Sequence, residues 1–406
     1  MRIITTVTAL VALSASTVSA KSLEDMLVDK GALNKAEAAM VDGKVMWKNG
    51  TRVEYPSTGV TTTISTLVQP RYDFIDGDGD FGEANSSSFN VHRARLILDG
   101  TAMHEEFRYQ LEADFSGNDD LSRFQTGTRS PVLLNAFVEW QACDWSSLRF
   151  GQFKTMYSRQ FQSNPWALQF ADNSIATDYF ALGRGQGASA TGNFADGAFQ
   201  VSAGIFNGIS TGENINSIGV DTKHTGVLSL RFNAAGNMNP WEEGDVDMSQ
   251  DLAANFGFSY AFSDGNIARP VVGAPDTFII DPTEIHHFSA DANFKYQGFS
   301  FHGEFYYANI DQDSSADRVK PLGFYAQAGY FLNDDWELAL RYSMVDCDDG
   351  AACAGDKFQE ASGTINYYFW KHNLKAQLGY SNISRDIDTD DDQKTNRWTF
   401  MLTAMI

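Results

Sequence analysis

The chain has 406 residues, and its 52 acidic side chains against 30 basic ones give a formal charge of -22, which excludes nucleic-acid binding through a basic surface. Aromatic residues make up 13%, glycines outnumber prolines 34 to 9, and mean hydropathy is -0.30, a balance unusual for a soluble enzyme and suited to a greasy exterior around a polar interior. No stretch after residue 20 supplies eighteen consecutive apolar residues, so any membrane crossing is made by strands.

In chain order, Arg2, an apolar run over residues 3–13 and the small-residue sequence Val18-Ser19-Ala20 predict a signal peptide over residues 1–20. Residues 21–59 form a separate amino-terminal region. Leu23, Leu27, Ala38 and Val41 share one side of a predicted periplasmic helix over 22–41, and Asn49-Gly50 between two short apolar runs predicts a hairpin.

From residue 60 to 406 the period is two. Phe256, Phe258, Tyr260 and Phe262 alternate with Asn255, Gly257, Ser259 and Ala261, and Trp336, Leu338, Leu340 and Tyr342 alternate with Glu337, Ala339, Arg341 and Ser343. One face of each strand therefore meets an apolar phase and the other meets water or polar groups. Short connections, such as those at 100–105, 195–197 and 297–298, alternate with long ones at 75–89, 155–184, 263–284, 311–320, 346–357 and 384–394. That layout predicts an all-β fold, a transmembrane antiparallel barrel of about sixteen strands with both termini at the periplasmic end. The connection at 234–250 is too long for its side and reads as an inserted loop. The closing strand ends on Ile406, where assembly signals of such barrels usually carry an aromatic residue.

Alternation also assigns faces. Arg93, Arg95 and Asp99 point inward opposite Ala94, Leu96 and Leu98, as do Arg108, Gln110, Glu112 and Asp114 on the following strand. The same reasoning places Arg71, Arg149, Arg231, Lys295, Arg341, Lys375 and Arg397 on the inner wall.

Three stretches carry a resemblance: Arg93-Ala94-Arg95-Leu96-Ile97-Leu98-Asp99-Gly100, Leu148-Arg149-Phe150-Gly151-Gln152-Phe153-Lys154, and Asn366-Tyr367-Tyr368-Phe369 with His372-Asn373-Leu374-Lys375. Together they resemble the phosphate-selective porin O/P family over nearly the whole mature chain. The resemblance implies a trimeric sixteen-stranded barrel, a third outer loop folded inward, and a channel lined by arginine and lysine that passes phosphate or related anions. Carried onto this chain, the loop is 155–184, and Lys154, Arg159 and Arg184 belong to the constriction. Arg93, Arg95, Lys154 and Arg159 are then the first candidates for anion contact, with Arg71, Arg149, Arg184, Arg341 and Lys375 behind them. The family often has two adjacent basic residues where this chain has His92-Arg93, which removes one charge when the histidine is neutral.

The expected permeants are small anions, in a homotrimer set in outer-membrane lipid and lipopolysaccharide. A structural alternative is that the arginines pair with Glu112, Asp114, Glu139 or Glu304 and brace the wall. A general or sugar-selective porin would instead use Trp166, Phe170 and Tyr179 as a slide. The acidic excess gathers in loops around Asp76-Gly77-Asp78-Gly79-Asp80, Asp348-Asp349 and Asp390-Asp391-Asp392, farther from a constriction than the Debye length of about 8 Å. Asp76 to Asp80 lacks the full spacing of a calcium loop. Cys347 and Cys353 are predicted to close a disulfide in the oxidising compartment, and Cys143 stands alone. No motif for a cofactor, metal, nucleotide or catalytic serine is present.

Overall fold

The computed structural model describes residues 44–47, 50–55, 58–78, 85–116, 132–207, 223–236, 238–271, 274–312, 318–347, 357–386 and 393–406. The signal segment, the helix expected at 22–41, Cys353 and most of the acidic loop positions lie outside them. A short hairpin of β1 (Lys44–Trp47) and β2 (Thr51–Tyr55) precedes the barrel. The barrel strands are β3 (Val60–Asp78), β4 (Ser86–Ala102), β5 (Phe107–Asp114), β6 (Val132–Cys143), β7 (Ser146–Lys154), β8 (Arg184–Phe194), β9 (Phe199–Asn207) and β10 (His224–Ala235). They continue with β11 (Ala253–Val271), β12 (Ala274–Tyr296), β13 (Phe299–Gln312), β14 (Leu322–Phe331), β15 (Trp336–Asp346), β16 (Lys357–Trp370), β17 (Leu374–Asp386) and β18 (Gln393–Met405).

Each of these sixteen pairs antiparallel with the next, and β18 pairs with β3 from Lys394↔Asp78 to Met405↔Leu67, which closes the barrel. β2 occupies the rest of the same β3 edge, Thr51↔Ile64 to Tyr55↔Val60, so no β3 edge is left open there. The short turns fall where the sequence places them; at Gln297-Gly298 both φ angles are positive, 47° and 82°, as a tight hairpin requires. One expected long loop is not a loop. The segment 263–284 continues the β11–β12 ladder through Ile267↔Asp281 to Val271↔Ala274, because cross-strand pairing overrides the local signals of Pro270, Gly273 and Pro275.

The alternation resolves into faces as expected. On β15, Leu340 is 72% exposed to the hydrocarbon side while Glu337, Ala339, Arg341 and Ser343 are buried inside. Exposed aromatic residues mark the short-turn end, among them Trp140, Trp145, Phe199, Tyr296, Tyr330 and Trp336, the girdle of an interfacial boundary. A bulge accommodates Pro70: Gln69 pairs with Arg93 and Pro70 with Val91, so His92 is the extra residue and it turns inward beside Arg93.

The β7–β8 connection turns into the lumen and carries α1 (Arg159–Gln162), a 3₁₀ turn (Pro165–Ala167) and α2 (Ile175–Phe180). Ser158 and Ser174 cap the two helices, accepting from the Phe161 and Thr177 amides, and Pro165 sits where its missing N–H costs nothing. The loop's apolar side is buried in the lumen: the Phe180 ring stacks on Tyr306 at 5.2 Å and 1°.

Candidate permeation site

The inward loop lies against the wall formed by β13 to β18 and β3. Glu304 on β13 accepts from the Arg159 and Gln160 amides at 2.9 and 3.1 Å, and Glu360 on β16 accepts from the Ile175 amide at 3.1 Å. Gln169 is the central tie. Its amide nitrogen donates to Ser300 and Glu337, and its carbonyl accepts from Asn366 and Gln377. β14 permits this approach by carrying glycines on its inner face: a Cβ on Gly329 would overlap the Gln169 amide, and one on Gly323 would lie 2.5 Å from the Phe180 ring.

Three of the expected pore residues are consumed by this docking. Lys375 is fully buried and donates to the Leu168 carbonyl at 2.5 Å. Arg341 donates to the Asp172 carbonyl at 2.9 Å and to Glu360 at 2.6 Å, with its guanidinium 4.3 Å from the Phe170 ring. Arg71 pairs with Asp73 and, at 3.0 Å, with Asp172. His92 and Arg397 reach the same Asp172 carboxylate at 2.9 and 3.6 Å. Burial alone would raise the Asp172 pKa, yet Arg71, His92 and Arg397 hold it well below the usual carboxylate range. Alternation placed these side chains inward correctly, but the loop covers them, so they anchor it. Arg93 donates to Gln69 at 2.9 Å and stands apart from the cavity described next.

The connection between β10 and β11, residues 236–252, rises into the lumen from the short-turn end. Its Glu243 is fully buried and accepts from Arg159 Nη2 at 2.6 Å, the Gln160 amide group at 3.0 Å and the Gln169 backbone N–H at 2.9 Å. Burial raises the Glu243 pKa, but Arg159 and these hydrogen bonds leave it below its ordinary value. Sequence reasoning missed Glu243 and Trp241. The signal for them was the excess length of this connection, whose destination no local pattern specifies.

Between the inward loop and the opposite wall, β4 to β10, runs a cavity of about 430 Å³. Arg95, Arg108, Arg149, Lys154, Arg184 and Arg231 border it from the strands, with Arg159 on the loop; among the described residues the only carboxylate bordering it is Glu112. Lys154 and Arg184 are not loop residues. They pair with each other as the last residue of β7 and the first of β8, at the loop's base. Of the nine expected contact residues, Arg95, Lys154, Arg159, Arg149 and Arg184 thus meet here, whereas Arg93, Arg71, Arg341 and Lys375 do not. Arg108 and Arg231 belong to the set and were placed only on the inner wall.

Several of these cations are also braced. Arg95 pairs with Glu112 at 3.0 Å and Asp114 at 2.8 Å, Arg149 with Glu139 at 2.5 Å, Arg231 with Asp291 at 3.0 Å, and Arg159 with Glu243. A guanidinium has five donors, so Arg149, whose side chain is 34% exposed, keeps some directed at the cavity, whereas Arg95 and Arg159 are enclosed by their partners. Trp166 of the loop and Trp241 of the insertion border the same space. Phe170 lies under Arg341, and Tyr179 packs on Phe180, so the three aromatics of a sugar slide do not line up along it.

No curated protein sequence matches the chain. Among solved structures it is similar to the outer membrane channel DcaP of Acinetobacter baumannii, at 15% identity and TM-score 0.59, covering 86% of this chain and 98% of that one. The anion-selective porin from Comamonas acidovorans is similar at 13% identity and TM-score 0.57, with 85% and 99% covered. OmpT of Vibrio cholerae in its trimer form is similar at 13% identity and TM-score 0.57, with 86% and 99% covered. At these identities the structures establish the barrel fold. The sequence itself decides the relationship: residues 65–406 match the family described as phosphate-selective porin O and P, and the chain belongs to that family of outer-membrane porins.

Proposed function

We propose that the chain is an anion-selective porin, a water-filled channel through which phosphate or related oxyanions diffuse. The observation that carries this reading is the cavity between loop and wall, lined by seven cationic residues, of which Arg159 and Arg184 have fully buried side chains, and a single acidic one among the described residues. Weak, repeated cationic contacts let an anion enter and leave, where one tight site would trap it. The low dielectric of wall and lipid lets these groups outweigh screened acidic charges in the outer loops. Family membership and the likeness to the anion-selective porin of Comamonas acidovorans support the same sign. A channel of this kind performs no chemistry, so the protein is not an enzyme.

The finer assembly is part of the proposal. The chain is exported, loses residues 1–20 and forms a homotrimer, as the trimer form of the Vibrio protein supports. Its acidic outer loops then face lipopolysaccharide. The test is zero-current potential across a planar bilayer in a potassium chloride gradient. The parent is expected to favour chloride, and neutralising Arg108, Arg149 and Lys154 to glutamine is expected to lower that preference. A potassium-selective parent would refute the reading.

A further inference from the structure

We propose that the passage favours small aromatic carboxylates over inorganic phosphate, an inference that rests on the anion-porin reading above. Three observations carry it. The cavity, at about 430 Å³, has the volume of a site for an organic molecule and greatly exceeds what one phosphate needs. Its cations are paired with aromatic faces: the Arg149 guanidinium lies 4.4 Å from the Phe137 ring, and that of Arg231 lies 4.6 Å from Trp241. Trp166, half-buried on the loop, borders the same space from the other bank.

The third observation is the bracing itself. Stripping water from a phosphate dianion requires several donors that no carboxylate already holds, since the desolvation cost of a charge is repaid only by close, well-aligned partners. Here Arg95, Arg149 and Arg231 each face an internal carboxylate within 3.0 Å. What remains is enough to attract a singly charged, weakly hydrated carboxylate. The parts of the Trp166 and Trp241 rings that border the cavity then meet its ring, an interaction that an inorganic ion cannot make.

The full-length mature porin in planar bilayers tests this, with potassium chloride, acetate, phosphate and benzoate in turn on one side and permeability ratios taken from zero-current potentials. Benzoate is expected to outrank acetate despite its greater size, and to outrank phosphate. The Trp166→Ala/Trp241→Ala variant is expected to lower the benzoate-to-acetate ratio about two- to tenfold, the worth of an aromatic contact. Trp398→Ala, on the hydrocarbon face, is expected to leave the ratio unchanged. Heat-modifiable gel mobility shows that each variant has folded, and the ratio in the parent alone already decides if one has not. Anion selectivity with acetate or phosphate ranked above benzoate, or a ratio that ignores the double tryptophan variant, overturns this inference and spares the porin reading. Potassium selectivity overturns both.

Discussion

The contact between Glu243 and Arg159 joins an insertion from the short-turn end to a loop from the opposite end, and Glu243→Ala separates them. Both side chains are 0% exposed, and three donors converge on the carboxylate at 2.6 to 3.0 Å. Removing one member of a buried, hydrogen-bonded ion pair costs about 3–5 kcal/mol, because the other charge stays buried without its counter-charge. At about 1.4 kcal/mol per decade, the docking equilibrium shifts roughly a hundred- to four-thousand-fold. The insertion and α1 should then leave each other, and single-channel recording should show larger and noisier conductance. Replacing both partners, as Arg159→Met/Glu243→Leu, should restore most of the closed geometry, since an apolar pair carries no stranded charge. The pH dependence has a definite sign. Glu243 has a lowered pKa when docked, so its contribution is complete above the ordinary carboxylate range and is lost only as pH falls through the docked value. Conductance should stay flat through neutral pH and rise only in acid, once pH has fallen below the ordinary carboxylate range. Parental conductance and noise in Glu243→Ala would refute the latch.

Leu340→Arg should lower the folded yield by about 2–4 kcal/mol of barrel stability, because Leu340 lies four residues, about 13 Å of strand, from interfacial Trp336 and hence near mid-membrane. Gln200→Arg, on the water-filled side, should fold like the parent in the same gel-mobility assay. Gly329→Val should displace Gln169 from the wall and show as a lowered melting temperature together with altered conductance. Mass spectrometry of the membrane-inserted protein should find its first residue near Lys21; retention of Met1 to Ala20 would contradict export by a cleaved signal.

What could be read without coordinates follows from one rigid fact, that side chains on a strand alternate with period two. Leu340 outside and Arg341 inside, the closed count of sixteen strands, and the inward direction of all seven inner-wall cations come from that period and from turn lengths. The run at 263–284 misled because prolines and glycines act locally, while a ladder forms by pairing with a distant segment. Pointing inward is likewise a property of one strand, whereas meeting water depends on what else occupies the lumen. Arg149 and Lys375 are indistinguishable by alternation, yet Arg149 borders the open passage and Lys375 is sealed beneath Leu168. Only the tertiary structure chose between them, because the inward loop and the insertion carrying Glu243 contact residues more than seventy positions away, and a contact at that separation leaves no periodicity in either segment.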